Sequence, residues 1–413
     1  MNAGQHLGNT KRILENLNWE EFSFDQSSIN YFQVLNWLPD YVSLIDIIGN
    51  LVVVGIIDYI PMFLPFLGRP SFNFFSMKKK LMNFSENTII TSEDKIFHDF
   101  HFDSLTSFKD IVDHWSWLEE KVKLWMVKIE DENDEKVKQH MLFSVLAQTL
   151  HAVQDFYSHS NWIEYFHHKF QLSKKEEFPT WFDIFVQTEK EKTVEKYNGS
   201  IFEDENSLFT GYFPIGRDKK IFPVYHNDKK NMPGLNKDRA ERPYFDVVYY
   251  LAYKNGIQWL NYIKNKYLLP HHIELLNKSL TENTIESVNM IKPYIKLISF
   301  KLREWNGLDP FGNISLEITN LFRKNNTINF TIRLATSERL IKYDRDFRKS
   351  FFDIVIISNG KIIKKYLKFG KKSGISKVKL DLDGFLTNNS KQNLLIKVEY
   401  GLLHSEQMII NEY

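Results

Sequence analysis

The chain has 413 residues, a formal net charge of +1 and no cysteine. Its length allows two domains, and its 43% hydrophobic and 15% aromatic residues are typical of a globular protein with sizeable cores. The near-neutral charge gives no sign of a nucleic-acid partner, because such proteins usually carry a strongly basic domain. The lack of cysteine excludes disulfides and thiolate metal sites, so metal ligands would be histidine, carboxylate or water.

The beginning of the chain predicts two helices, over residues 10–20 and 26–40, the second of which ends near Pro39. Residues 1–17 contain no basic segment followed by an apolar one, so we predict no secretory signal. A protein without that signal is cytoplasmic as made. It would need a leaderless export route to act on membranes outside the cell.

Residues 44–67 form an apolar stretch close to the ~20 residues that span a bilayer. Asp46, Asn50 and Asp58 interrupt it, and charged side chains are expensive within a bilayer. A buried helical hairpin or strand pair is therefore the favoured interpretation. The alternatives are an element that inserts into a membrane or lies at its surface, and a true membrane span.

The middle of the chain is mainly helical in its pattern. Apolar residues at helical spacing predict long helices over residues 104–130 and 135–158. Residues 160–240 mix aromatic and charged residues with turn formers, and they predict long loops that pack over a site. Residues 241–267 and 271–292 again predict helices.

Three groups of the metal-ligand type follow one another near the end of the helix predicted over 135–158. His151, Asp155 and His159 are four residues apart, so they lie in one row on one helix face. Three such groups without partners in a core would be costly. Spacing alone leaves two interpretations, a metal site and a structural cluster of hydrogen bonds.

Four segments carry a family resemblance, and they follow one another along the chain in the order that the family shows. They are NWLPDY at 36–41, HFD at 101–103, HAVQDFYSHSNW at 151–162 and GLNKD at 234–238. Together they resemble the signatures of Het-C-type proteins, a branch of the zinc-dependent phospholipase C and single-strand nuclease superfamily. The resemblance covers roughly residues 1–265, and Pro39 stands where that family usually has arginine.

The resemblance implies a helical cup that holds two or three zinc ions. Asp40 would bind metal and act as the catalytic base, and Asp155 would bridge two ions as the second catalytic residue. His6 would take the place of the family's N-terminal histidine ligand, the alternative being a plain surface histidine. The implied metal ligands are His6, Asp40, His101, His151, Asp155 and His159, with His98 as a fallback for His101 and His159 serving the third ion.

The sequence also departs from the family pattern. No tryptophan precedes Trp19 to offer an N-terminal amine, and no histidine follows the GLNKD segment at the usual spacing. His226, His167 or His168 would substitute, with Glu164 as an acidic donor. Gln154, Asn161 and Asp103 are candidates for fixing the histidine rings by hydrogen bonds. A two-metal site and a degenerate, non-catalytic site both stay open.

The last part of the chain predicts β-structure. Short β-type runs separated by turn residues predict an antiparallel β-sandwich. The runs are residues 298–303, 314–320, 328–334, 351–358, 361–369, 377–382, 394–401 and 406–413. The predicted fold class is therefore α+β and multidomain, with a helical domain over 1–293 and a β-sandwich over 294–413. The lysine-rich residues 361–372 are interpreted as an edge strand that charge protects from aggregation.

The functional hypothesis is a zinc-dependent phosphodiesterase of the phospholipase C type, acting on membrane phospholipid as a toxin or effector. One alternative is a single-strand nuclease on the same site, with bases stacked on Trp115, Trp117, Trp162 and Trp181. Those tryptophans are more simply core residues. The other alternative is a non-catalytic, membrane-perturbing protein whose metal site is degenerate or structural.

Overall fold

The structure is a computed structural model. It describes residues 3–19, 22–50, 87–90, 99–186, 207–211, 235, 237, 244–302, 314–324, 327–336, 351–358, 361–368, 375–382, 393–400 and 403–409. By their contacts these residues form two compact units. Nearly all of the helical residues through Lys301 belong to the first unit, and the seven strands belong to the second.

The described residues form nine α-helices and one short 3-10 helix, Lys175–Glu177. The α-helices are α1 (Ala3–Asn16), α2 (Gln26–Asn50), α3 (Phe108–Asp131), α4 (Glu135–His159), α5 (Trp162–Phe170), α6 (Trp181–Phe185), α7 (Phe245–Tyr267), α8 (Pro270–Asn277) and α9 (Glu282–Leu302). A mainly helical part followed by antiparallel sheets confirms the predicted α+β class. The predicted division between residues 293 and 294 stays a prediction, and it falls within α9.

Helix α4 carries the row of candidate ligands and is buried along most of its length. Asp134 caps its first turn by accepting hydrogen bonds from the backbone N–H groups of Lys136 and Val137. Every residue from Met141 to His159 is buried, polar residues included. A helix buried on all sides holds its side chains rigidly, so the ligand row lies on a fixed frame.

Helix α7 approaches α1 and α4 closely at Gly256. A Cβ atom at this position would lie 2.5 Å from Ile13 Cδ1 and 2.9 Å from Leu150 Cδ1. Both of those side chains are fully buried, so neither has free space to enter. The missing side chain of Gly256 therefore sets the spacing of the helices that carry His6 and His151.

The predicted end of the second helix near Pro39 is wrong. Helix α2 continues through this proline to Asn50. A proline inside a helix removes a hydrogen bond at a cost of about 3 kcal/mol. The neighbouring Leu35, Trp37 and Leu38 are buried, and α2 packs on α1 and α4, so tertiary packing outweighs that cost.

Two further predictions near the end of the helical unit are also wrong. Residues 271–292 are not one helix, because α8 ends at Asn277 and α9 begins at Glu282. The Thr281 hydroxyl accepts a hydrogen bond from the Thr284 N–H and so caps α9. The strand predicted over 298–303 is instead the last turn and a half of α9, which ends at Leu302.

The apolar stretch over 44–67 is described only in part. Residues 44–50 are the end of α2, and residues 51–67 lie outside the described residues. Among the described residues, no helix has both the length and the apolar content that crossing a bilayer requires.

The strands of the second unit are β1 (Ile314–Lys324), β2 (Thr327–Thr336), β3 (Phe351–Ser358), β4 (Lys361–Lys368), β5 (Ile375–Asp381), β6 (Leu394–Tyr400) and β7 (Leu403–Ile409). One antiparallel sheet has the order β1-β2-β5, and the other has the order β4-β3-β6-β7. Alternate residues of both sheets enter one hydrophobic core, which includes Ile332, Ile356 and Ile396. The lysine-rich β4 is an edge strand, as predicted.

Candidate metal site

The predicted row on α4 lies entirely in the interior. His151, Asp155 and His159 are all buried and occupy the last turns of the helix. His6 of α1 is buried beside them with no exposed surface, so the alternative of a surface histidine is wrong. Residues far apart in sequence therefore meet at one buried point.

The first ligand group consists of His6, His151 and Asp155, and we call it the buried group. His6 Nε2 lies 3.0 Å from Asp155 Oδ1, and His151 Nε2 lies 3.2 Å from Asp155 Oδ2. The two imidazole rings are stacked, with centroids 4.1 Å apart. Each oxygen of the carboxylate thus faces a different histidine.

The buried group passes a chemical test for a metal site. His6 Nε2 and His151 Nε2 are buried and make no hydrogen bond among the described residues, although both point towards the same carboxylate. Buried polar atoms normally have partners, so two such nitrogens need an explanation. Imidazole nitrogen and carboxylate oxygen are ligands that suit zinc. A metal ion held between these atoms would satisfy them.

The second ligand group consists of Asp40, His101 and His151, and we call it the open group. His101 Nε2 lies 3.3 Å from Asp40 Oδ1, and the rings of His101 and His151 meet edge to face at 5.0 Å. The side chains of His101 and Asp40 are 11% and 28% exposed. The open group therefore reaches solvent while sharing His151 with the buried group.

A strained turn before α3 presents His101. The next residue, Phe102, has a φ of 50°, in the left-handed region that non-glycine residues rarely adopt. Its ring is fully buried against His114, Trp115 and Phe156. Packing of this ring offsets the backbone strain and fixes the position of His101.

His159 belongs to neither group. Its Nδ1 faces the backbone oxygen of His101 at 2.6 Å and Asp103 Oδ1 at 3.4 Å. A carbonyl oxygen only accepts, so Nδ1 donates and the lone pair of the neutral ring is on Nε2. The structure thus brings His159 beside His101, with ring centroids 6.5 Å apart, and its predicted role for a third ion stays a prediction.

The electrostatics prepare the ligand atoms for a cation. Burial raises the pKa of the Asp155 carboxyl, but the neighbouring positive charges hold it well below its usual range. Burial and, next to it, the charge of His6 lower the pKa of His151 to about 4. Neutral imidazole and ionised carboxylate are the forms that bind metal ions, and both are present at neutral pH.

The pair in the open group behaves differently. Burial raises the pKa of Asp40, but the hydrogen bond with His101 holds it below its usual value. Burial lowers the pKa of His101, but the same hydrogen bond and the nearby carboxylates raise it above its usual value. A metal ion at His101 Nε2 would have to displace the proton shared with Asp40.

Of the proposed substitute ligands, the three that the structure describes join neither group. His98 and His226 lie outside the described residues. His167 Nδ1 faces the backbone oxygen of Leu172 at 2.7 Å, and His168 is exposed at the end of α5. Glu164 forms an ion pair with Lys237 instead, with 3.0 Å between Oε1 and Nζ.

Two of the three predicted supporting side chains contact site histidines. Gln154 Oε1 lies 2.7 Å from His6 Nδ1, and Asp103 contacts His159. Asn161 holds a neighbouring segment instead, accepting from the Phe209 N–H and donating to the Ser207 backbone oxygen.

Lys237 of the GLNKD segment has a role that the sequence did not reveal. Its buried Nζ donates to the backbone oxygens of Ser160 and Leu235, at 2.8 and 3.0 Å. Its own N–H donates to the Ser158 oxygen. A cation at the C-terminal end of α4 also complements the helix dipole. Lys237 therefore clamps the end of the ligand helix around His159.

A third His/Glu cluster, Glu130, His271 and His272, was also missed by sequence reasoning. His272 Nδ1 accepts a hydrogen bond from the Leu269 N–H at 3.1 Å. In the neutral ring the proton is then on Nε2, which lies 2.9 Å from Glu130 Oε1. This ring therefore caps α8 and offers no lone pair to a metal ion on the Glu130 side.

The tryptophans considered for base stacking are mostly core residues. Trp115, Trp162 and Trp181 are buried, and the rings of Trp115 and Trp181 stack on each other at 5.1 Å. Trp117 is half-buried against Phe100. Buried rings cannot receive bases, so the simpler interpretation of the three buried tryptophans as core is confirmed.

Comparisons with models of protein families, with curated proteins and with solved structures found no match for this chain. Among the described residues, the buried His/Asp clusters that could hold a metal ion are the structural feature that bears on function.

Proposed function

We propose that the chain is a zinc-dependent phosphodiesterase that hydrolyses membrane phospholipid in the manner of a phospholipase C. The observation that carries the proposal is the arrangement around Asp155. Its two carboxylate oxygens face histidines from different helices, at 3.0 and 3.2 Å. A carboxylate placed in this way could hold a metal ion together with the two histidines, and the partly exposed open group beside it would give substrate and water access to the site.

Zinc bound there would supply water of lowered pKa and would neutralise charge on a phosphodiester. The chain's own residues would do the rest. His6, His151 and Asp155 would hold the metal, since their atoms converge inside the core. Asp40, ionised and partly exposed, would orient the attacking water and accept its proton. His101 would keep Asp40 in position through their hydrogen bond.

The choice of phospholipid as substrate draws on the motif resemblance and on charge. A net charge of +1 gives little attraction for a polyanionic nucleic acid, and the buried tryptophans offer no stacking surface for bases. A neutral or zwitterionic lipid head group makes no such electrostatic demand. Membrane phospholipid is therefore the proposed partner.

A second candidate is a non-catalytic protein whose metal is structural. The burial of His6, His151 and Asp155 favours it, because structural zinc sites are closed whereas catalytic sites keep an open position. The partial exposure of Asp40 favours the enzyme. The two candidates therefore differ in what Asp40 does.

The test combines elemental analysis with release of phosphorylated head groups from phospholipid vesicles. We expect at least one zinc ion per chain, and Asp155→Asn should reduce the zinc content and abolish hydrolysis. Asp40→Asn would keep the metal of the buried group and lose hydrolysis by a factor of roughly 100 or more. Asp113→Asn, an exposed position on α3, is the matched control and should change neither quantity.

The outcomes separate the candidates. Full hydrolysis by Asp155→Asn would sink the enzyme assignment as formulated here. Bound zinc without hydrolysis of any vesicle or soluble phosphodiester would favour the structural metal. A wild-type chain that contains no zinc would exclude both the enzyme and the structural-metal candidate.

A further inference from the structure

One side chain outside the two ligand groups, that of Gln154, contacts the ring of His6. His6 Nδ1 lies 2.7 Å from Gln154 Oε1, and both side chains are fully buried. The neutral imidazole ring has one N–H and one lone pair, and either nitrogen can carry the proton. Which nitrogen carries it decides whether Nε2, the atom beside Asp155, can bind a metal ion.

Gln154 is held in turn by the side chains of Asn9 and Thr10, and we call these hydrogen bonds the relay. A backbone carbonyl fixes the orientation of Asn9. Asn9 Nδ2 lies 2.9 Å from the backbone oxygen of Tyr249. A carbonyl oxygen only accepts hydrogen bonds, so the amide nitrogen of Asn9 must face it. The Asn9 Oδ1 atom then faces Gln154 Nε2, which donates to it at 3.1 Å.

A second backbone carbonyl fixes the relay from another direction. Asn36 Nδ2 donates to the backbone oxygen of Ala147 at 2.9 Å, which turns Asn36 Oδ1 towards Thr10. The Thr10 hydroxyl donates to that oxygen at 3.1 Å. Because a hydroxyl has only one proton to donate, the Thr10 oxygen can only accept the hydrogen bond from Gln154 Nε2, at 3.3 Å.

Both branches meet at Gln154 and leave one orientation for its amide. The Nε2 atom has two acceptors, Asn9 Oδ1 and Thr10 Oγ1. The Oε1 atom must therefore face His6 Nδ1, where an oxygen requires a donor. We infer that Gln154, held by Asn9 and Thr10, is a positioning residue that keeps the proton of neutral His6 on Nδ1 and its lone pair on Nε2, aimed at the metal position beside Asp155.

The relay opposes the arrangement that His6 would otherwise prefer. Asp155 Oδ1 lies 3.0 Å from His6 Nε2 and would accept a proton from it. A ring protonated on Nε2 in this way would satisfy the carboxylate but would remove the lone pair that a metal needs. The relay prevents this state, because the lone pairs of Nδ1 and Gln154 Oε1 would then face each other at 2.7 Å. The inference rests on the proposed function only for the identity of the ion.

The direct test is ¹⁵N NMR of the histidine rings in the full chain after removal of metal by a chelator. The pH is set to about 8.5, above the usual histidine pKa, and a His6→Asn variant assigns the His6 signals. We expect a single tautomer with a protonated Nδ1 and an unprotonated Nε2. A neutral His6 protonated on Nε2, or an equal mixture of tautomers, overturns the inference.

A variant pair tests the cause. Gln154→Met removes the acceptor at a similar volume, so His6 should shift towards the Nε2-protonated tautomer and bind Zn²⁺ about 10–100-fold more weakly. Gln139→Met is the matched control, because Gln139 is a buried glutamine of the same helix that donates to the backbone oxygens of Leu275 and Lys278. It should leave the tautomer and the Zn²⁺ affinity unchanged. An unchanged tautomer in folded Gln154→Met contradicts the relay, and the wild-type spectrum decides even if that variant does not fold.

The same samples separate this inference from the proposed function. The expected tautomer in a chain that binds no zinc and hydrolyses no phosphodiester would keep the inference and overturn the function. An active zinc protein whose metal-free His6 is protonated on Nε2 would do the reverse.

Discussion

The buried and open ligand groups share His151 but differ in their exposure to solvent and in the contacts that hold their other ligands. The buried group is closed off from solvent, and hydrogen bonds anchored on backbone carbonyls orient His6. The open group depends on a strained turn at Phe102 and on an ion pair that is partly exposed. Under the proposed function, metal retention and reactivity would therefore depend on different residues. Perturbations of one group should therefore be separable from perturbations of the other.

Removal of metal acts on both groups and should have the largest effect. A ligand present at about a thousand times its dissociation constant stabilises the fold by about 4 kcal/mol, or roughly 10 °C in Tm for a unit of this size. Thermal unfolding followed by circular dichroism, with and without a chelator, measures the difference. The same addition should barely change the Tm of Asp155→Asn. An unchanged wild-type Tm would mean that no ion is held by these residues.

Removal of the Lys237 side chain should affect the open group more than the buried group. Lys237→Met leaves Glu164 and the Ser160 carbonyl without their partner, and we expect a loss of about 3 kcal/mol in the free energy of unfolding. Lys237 holds the helix end around His159, and His159 contacts the backbone oxygen of His101 in the open group. Hydrolysis should therefore fall more than zinc content does. Chemical denaturation, zinc analysis and the vesicle assay report the three quantities. Equal losses of zinc and hydrolysis would show that the two groups are not separable.

A side chain added at position 256 should affect the buried group, and its effect should be the smallest of the three. Gly256→Ala forces its Cβ against Ile13 and Leu150 and should destabilise the fold by about 1–2 kcal/mol, the usual effect of overpacking. Ile13→Val removes the atom that lies 2.5 Å from the new Cβ, so the double variant should lose less than the sum of the single variants. Simple additivity in chemical denaturation would contradict a close contact at this position. Zinc affinity should decrease with Gly256→Ala, since α1 and α4 carry His6 and His151.

Local patterns in the sequence predicted the ligand helix well. Its observed range, Glu135–His159, differs by one residue from the prediction, because the apolar spacing that predicted it is a local signal. The row of His151, Asp155 and His159 followed from helical geometry alone. Its convergence with His6, Asp40 and His101 was suggested only by the motif resemblance, because no spacing rule relates residues so far apart in sequence.

The errors arose where tertiary packing or periodicity decided between alternatives. Residues 298–303 alternate like a strand, but Ile291, Ile295, Ile298 and Leu302 also follow helical spacing, and short apolar runs fit both patterns. Pro39 is a local helix breaker that packing overrides. The sequence analysis named Gln154 as a candidate for fixing a histidine ring, but not the partners that orient it. Those partners and the role of Lys237 depend on contacts with other segments, and such contacts follow no sequence pattern.

The distance along the chain between His6 and Gln154, 148 residues, has a consequence for assembly. A contact between residues so far apart forms late, because the entropy of closing the intervening loop must first be overcome. During synthesis, His6 leaves the ribosome long before the helix that receives it. The N-terminal part of the chain alone therefore has no complete ligand group. If the proposed metal binds, its uptake would be a late step that follows formation of the helical unit.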